Sequence, residues 1–161
     1  MMLMAPNNLV LREATTGELP AALAVLHAAF EEYRTQLNPP SSAHRETIAS
    51  LQARLESGHL LLALIDGDIV GCVIYQVEPD YMYLGRLAVL PAHRRRGIGT
   101  ALIAYIEDYA RAIAAPRVRL GVRIALAHVR NRYERMGYRL VEERSHPGFA
   151  TPTYVFLEKE L

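Results

Sequence analysis

The 161-residue sequence holds one cysteine, Cys72, so no disulfide can form within the chain, and this points to a reducing, cytoplasmic setting. No uninterrupted apolar run exceeds the length of residues 60–65, whereas a membrane-spanning helix needs about 20 apolar residues in a row. The start, Met1-Met2-Leu3-Met4-Ala5-Pro6, lacks the basic leader and the long apolar stretch of a secretory signal, so none is expected. Internal repeats, low-complexity tracts and linkers longer than a loop are all missing, which leaves one domain over residues 1–161. The six histidines, His27, His44, His59, His93, His128 and His146, show no metal-ligand spacing, and no catalytic metal is expected. What remains is ordinary for a globular protein, 51% apolar and 22% charged, and long enough to bury a sizeable core.

Charge is near balance at +1 overall, but it is unevenly placed. Residues 1–93 carry five Arg against ten Asp and Glu, residues 94–139 carry eleven Arg against three acids, and residues 140–161 carry two cations against four acids. A near-neutral whole with one strongly basic segment suits a local anionic ligand better than general binding to nucleic acid. The acidic first segment suits a cationic partner, with Glu31 and Glu32 as candidates.

The periodicities alternate between strand and helix. Residues 8–14 read as a strand, and Thr15-Thr16-Gly17-Glu18 as a capping box opening a helix to about Tyr33, with Leu19, Leu23, Leu26, Ala29 and Phe30 as its apolar stripe. The Asn38-Pro39-Pro40-Ser41-Ser42 turn separates it from a second helix over residues 45–56. Residues 59–65 and 69–77, joined by Asp66-Gly67-Asp68, read as a hairpin, and residues 81–90 as a further strand with Gly85 as a possible bulge point. A helix from Ile98 to Ile113 is stopped by Pro116; a strand at 117–123, a helix at 126–136 and strands at 137–143 and 153–158 complete the chain.

Between the 81–90 strand and the next helix stands Arg94-Arg95-Arg96-Gly97-Ile98-Gly99-Thr100. A glycine-bearing turn into a helix N-terminus presents unpaired N–H groups and the positive end of the helix dipole, and the arginines add charge-assisted donors, so the segment is built to hold phosphate. It is neither a G-x-G-x-x-G turn, because position 102 is Leu102, nor a P-loop, because no Gly-Lys-Ser/Thr occurs.

This R-x-x-G-x-G stretch, preceded by Leu87-Ala88-Val89-Leu90-Pro91, resembles the acyl-CoA motif of the GNAT superfamily of acyl-CoA-dependent N-acetyltransferases. Tyr133-Glu134-Arg135-Met136-Gly137-Tyr138 matches a second element of that family, and the order of strands and helices resembles it over essentially the whole chain. The resemblance implies a single α+β domain: a mixed, mostly antiparallel sheet of about seven strands flanked by about four helices, splayed between the 81–90 and 117–123 strands. It implies acetyl transfer from acetyl-CoA to a primary amine, of a small molecule or a peptide or protein, by direct attack in a ternary complex. Leu87, Ala88 and Val89 would then meet the pantetheine arm, and Arg94, Arg95, Arg96, Gly97, Ile98, Gly99 and Thr100 the pyrophosphate. Tyr133 would be the catalytic acid toward the departing thiolate, and Glu32, Tyr33, Tyr83 and His146 would border the acceptor. The general base stays open among Glu78, Asp80, Tyr81, Tyr83, the Glu31–Tyr33 segment and His146.

Family habit implies a homodimer, while the near-neutral charge and the short apolar runs lead us to expect no nucleic-acid or membrane partner. Leu126 and Val129 stand where many members carry a cofactor-contacting Asn, and this keeps a second reading in play, a non-catalytic acyl-CoA sensor. A third, a nucleic-acid-binding domain led by the Arg triplet, lacks an aromatic-interleaved basic stretch.

Overall fold

The computed structural model describes residues 4–161; the reading of Met1, Met2 and Leu3 as free of a leader lies outside the described residues. The chain runs β1 (Leu9–Glu13), α1 (Leu19–Phe30), α2 (Ile48–Leu55), β2 (His59–Ile65), β3 (Asp68–Val77), β4 (Met82–Val89), α3 (Ile98–Ala112), β5 (Arg117–Arg123), α4 (Ala127–Arg135), β6 (Arg139–Arg144) and β7 (Tyr154–Glu160). The seven strands form one sheet in the order β1-β2-β3-β4-β5-β7-β6, antiparallel except for the β4–β5 pair, with α3 as the crossover between them. This is the mixed α+β architecture that the periodicities and the resemblance led us to expect.

Local chemistry sets most boundaries. The Glu18 carboxylate accepts from the Thr15 backbone N–H at 2.9 Å and from the Arg12 guanidinium at 2.7 Å, starting α1 through a short 3-10 turn. A further 3-10 turn carries the chain from Phe30 on to Tyr33. The second helix starts later than expected: residues Ser42–Arg45 make a separate turn, and α2 begins at Ile48 because Thr47 caps it, accepting from the Ser50 N–H at 3.0 Å. Asp66 and Gly67, at φ 52° and 84°, close the β2–β3 hairpin.

The apolar run at 60–65 is a strand buried on both faces. Leu61 and Ala63 pack with Leu102, Ile106, Leu120 and Leu157 under α3, while Leu60, Leu62 and Leu64 pack with Leu19, Leu26 and Leu51 under α1 and α2. Glu107, buried in α3, is satisfied by the Tyr138 hydroxyl at 2.9 Å and the Lys159 ammonium at 3.1 Å. Among the described residues no helix is long and apolar enough to cross a membrane.

Two irregularities at the centre of the sheet open the site. β4 and β5 pair only through Met82–Val118, Tyr83–Arg119 and Leu84–Leu120, and then part. β4 also bulges: Gly85 faces Ile74 and Ala88 faces Cys72, so Arg86 and Leu87 together oppose Val73. The bulge lies beside Gly85 rather than on it, and Arg86 takes the left-handed backbone at φ 56°.

Candidate acyl-transfer site

Where β4 and β5 part, a cavity of about 1090 Å³ opens between β4, β5, the start of α3, α4 and the segments after α1 and β6. From Gly85 to Val89 the β4 edge has no strand partner on the β5 side, so an extended ligand arm can lie along it as an added strand would.

Beyond Val89, a 3-10 turn at Pro91–His93 leads into the Arg-Gly segment. Arg95 at φ 62° and Gly97 at φ 77° both adopt the left-handed region, and Gly97 is the N-cap of α3. The first amide of the helix to find a carbonyl is that of Ala101, which bonds Gly97 at 3.0 Å. Among the described residues, the six amides from 95 to 100 have no hydrogen-bond partner. A run of free N–H groups at a helix N-terminus is an anion cradle, so the chain's own backbone fits a pyrophosphate. Gly99 lines the cavity, and a Cβ there would reach only ordinary contact, 3.9 Å from the Val89 side chain, so its absence widens the cradle rather than relieving a clash.

The arginines divide their work. Arg94 ties the cradle to the end of α1: it donates to the Ala29 carbonyl at 2.9 Å and the Val89 carbonyl at 3.2 Å, and pairs with Glu32. Arg94 and Arg95 both line the cavity, whereas Arg96 lies outside its lining and contacts His93 Nδ1 at 3.0 Å. The Arg94 and Arg96 side chains are thus engaged by the protein itself, a division that sequence reading, which counted all three as phosphate donors, did not make.

Tyr133 of α4 is 8% exposed and lines the cavity, its ring edge-on to Tyr138 with centroids 5.9 Å apart. Among the described residues its hydroxyl has no hydrogen-bond partner, and burial pushes its pKa up to about 12, so it is protonated throughout the physiological range. Leu126 and Val129, the positions where an Asn was looked for, stand on the same wall and offer the cavity no side-chain hydrogen bond there.

The remaining expected residues also gather here: Leu87, Ala88, Val89, Ile98, Thr100, Glu32, Tyr33, Tyr83 and His146 all line the one cavity. Burial raises the pKa of Tyr83 and Tyr33 and lowers that of His146, with Arg123 adding to the last effect. Glu31 is not a lining residue; it pairs with Arg34 at 2.9 Å. Sequence reading missed Arg86 and Arg123, and it named no lining residue in the 36–44 loop and only His146 in the 145–153 loop. Leu37, Pro39 and Ser42 from the first, and His146 and Pro147 from the second, complete the wall. Among the described residues no cluster of three or more His, Cys, Asp or Glu side chains could hold a metal ion.

Comparison with known proteins places this architecture. Residues 23–138 match the model of the acetyltransferase (GNAT) family. An N-alpha-acetyltransferase of Sulfurisphaera tokodaii is 31% identical over 98 residues, 53% of this chain and 59% of that relative. An uncharacterized N-acetyltransferase of Methanocaldococcus jannaschii is 38% identical over 79 residues, 48% of this chain and 51% of that protein. The matches therefore span between half and two thirds of these curated relatives. Among solved structures, the PaiA N-acetyltransferase of Thermoplasma acidophilum in complex with coenzyme A superposes with a TM-score of 0.82 at 14% identity, over 95% of this chain and 99% of that one. The family model covers well over half of the sequence and the two motifs lie in one cleft: the chain belongs to the acetyltransferase (GNAT) family.

Proposed function

We propose that the protein is an N-acetyltransferase that moves an acetyl group from acetyl-CoA to a primary amine by direct attack within a ternary complex. The observation that carries this is the continuity of the open β4 edge with the six free amides at residues 95–100, facing the buried Tyr133 across one cavity. In this reading the pantetheine arm lies along Leu87, Ala88 and Val89, the pyrophosphate sits on the amides of Arg95 to Thr100, and Arg94 holds the turn in shape.

The chemistry divides between positioning and charge. The amine nitrogen forms a bond to the thioester carbonyl carbon, the carbon–sulfur bond breaks, and the sulfur leaves as thiolate while the amine gives up a proton. Tyr133 meets the developing thiolate. With its pKa near 12 and a thiol near 8.5, complete proton transfer from Tyr133 is uphill by about 5 kcal/mol. Tyr133 therefore acts as a hydrogen-bond donor that lowers the charge on sulfur, and the thiolate takes its final proton from water or from the acceptor's own ammonium. His146, held neutral by burial and by Arg123, is in the state that a proton acceptor needs.

A cytoplasmic setting and a homodimer, with no nucleic-acid partner, complete the proposal; buried Cys72 and a net charge of +1 are what support the first and the last. The apolar Leu126 and Val129 on the cavity wall favour, as a second reading, a non-catalytic acyl-CoA sensor. Calorimetry with acetyl-CoA tests the site: we expect specific binding that Gly97→Glu abolishes, because Gly97 sits at φ 77° and a carboxylate there would face the phosphates. Absence of binding by the unmodified protein would overturn both readings.

A further inference from the structure

Arginines 117, 119 and 123 share one face of β5, where alternate residues point the same way. Strand register pairs the first with Glu160 and the second with Glu158, and both make ion pairs there, at 3.1 Å each. Arg123 stands opposite Tyr154 instead. Among the described residues it has no carboxylate partner; one Nη donates to the Pro39 carbonyl at 2.5 Å, and its Nε is buried with no partner at all. Arg86, across the gap on the bulge of β4, is similarly under-supplied. Its Nη2 donates to the Ser42 hydroxyl at 2.6 Å and its Nε is buried and unpartnered. Glu46, 6% exposed, is 3.7 Å from Arg86 but bonds Arg54 at 2.9 Å, so one carboxylate serves two guanidinium groups.

Both arginines line the cleft on the side away from the phosphate cradle, together with Arg45 and Ser42. The one carboxylate among the lining residues, Glu32, is already paired with Arg94. A guanidinium drawn from water without a counter-charge is costly, and a ligand carboxylate would supply both the missing acceptor atoms and the missing charge. A polyamine would meet the same wall with like charge. The acidic first segment of the sequence does not make this groove acidic, because, of its ten carboxylates, only Glu32 lines the cleft, and Glu31, Glu46 and Glu32 are paired with Arg34, Arg54 and Arg94.

We propose that the acceptor carries a carboxylate beside its amine, and that Arg123, with Arg86 across the gap, binds that carboxylate and selects for it. The proposal rests on the acetyl-transfer reading of the same cleft. The carboxylate belongs either to a free amino acid or to an acidic residue near the amino terminus of a peptide.

Two measurements decide it. In the first, protein saturated with CoA, so that the phosphate cradle is filled, is melted with millimolar succinate or succinamide. Succinate should raise Tm, succinamide should not, and Arg123→Gln should lose the rise while keeping the CoA affinity. No rise with succinate overturns the proposal whether or not the protein turns over. In the second, thiol release from acetyl-CoA is followed with free amino acids against their α-carboxamides, and with short peptides bearing Glu against Gln at the second position. The preferred source should show at least about tenfold higher kcat/KM for the carboxylate, and Arg123→Gln should erase the difference through acceptor KM, with Arg123→Lys restoring part of it. Equal rates for acid and amide, or turnover only of amines that lack a carboxylate, overturn it. Failure of the acetyl-transfer reading looks different, since acetyl-CoA would then not bind or no thiol would be released from any amine.

Discussion

Replacing Tyr133 with Phe removes one oxygen and leaves the ring, so the edge-on contact with Tyr138 at 5.9 Å persists. Because that oxygen has no protein partner among the described residues, folding stability should change by no more than about 0.5 kcal/mol. Ground-state binding should hold as well, since a thioester sulfur is a poor hydrogen-bond acceptor and Tyr133 gives it little. The loss falls on the transition state, where sulfur gains charge and a hydrogen bond to a charged group is worth about 1.5–3 kcal/mol. That corresponds to a fall in kcat of about 10- to 150-fold, with acetyl-CoA affinity by calorimetry within about twofold of the parent. Burial holds the wild-type hydroxyl protonated up to about pH 12, so the kcat of the unmodified enzyme should show no loss of this donor through the ordinary tyrosine range near pH 10. A kcat unchanged within about twofold would refute the donor role, and a parallel collapse of affinity would make Tyr133 a binding residue instead.

Alkali should weaken the fold before it reaches the chemistry. Burial raises the pKa of Tyr75, Tyr133 and Tyr138, with Glu13 adding to the first and Glu107 to the last. The native state therefore holds protons that the unfolded chain releases near pH 10, so stability is intact below that pH and falls above it, by up to about 1.4 kcal/mol per pH unit for each tyrosine. Urea midpoints that stay flat to about pH 11 would contradict this. Leu102→Ala, at a fully buried position between α3 and the sheet, should lower stability by about 2–5 kcal/mol with an unchanged urea slope, and a loss below about 1 kcal/mol would mean that the packing there is not as described. Gly71→Ala would place a Cβ 2.9 Å from the Ala88 carbonyl and push β4 outward, so acetyl-CoA affinity should fall several-fold together with about 1–3 kcal/mol of stability; full affinity would show that the β4 edge does not carry the arm.

Much of this protein is legible locally. The Asp66-Gly67 turn, the double-faced apolar run at 60–65 and the stripe from Ile98 through Leu102 and Ile106 to Ala110 each carry their own signal, so β2, β3 and α3 follow from spacing alone. The Arg94–Thr100 turn announces an anion cradle because backbone donors at a helix start depend only on the few residues around them. α2 starts at Ile48 rather than at 45 for an equally local reason: Thr47 and Ser50 cap each other and fix the first turn there. Sequence could not say which of eleven arginines in residues 94–139 face a ligand, because a guanidinium's role depends on what lies across the sheet from it. Arg117, Arg119 and Arg123 are indistinguishable along the chain and differ only in that β7 sets Glu160, Glu158 and Tyr154 opposite them. Composition and periodicity determined the elements and the glycine-bearing turn with its free amides, because those rest on contacts among near neighbours. The parting of β4 from β5, the turning of Arg94 toward α1 and the unpaired charge of Arg123 were decided by strand register and packing between distant segments, which only the tertiary structure brings together.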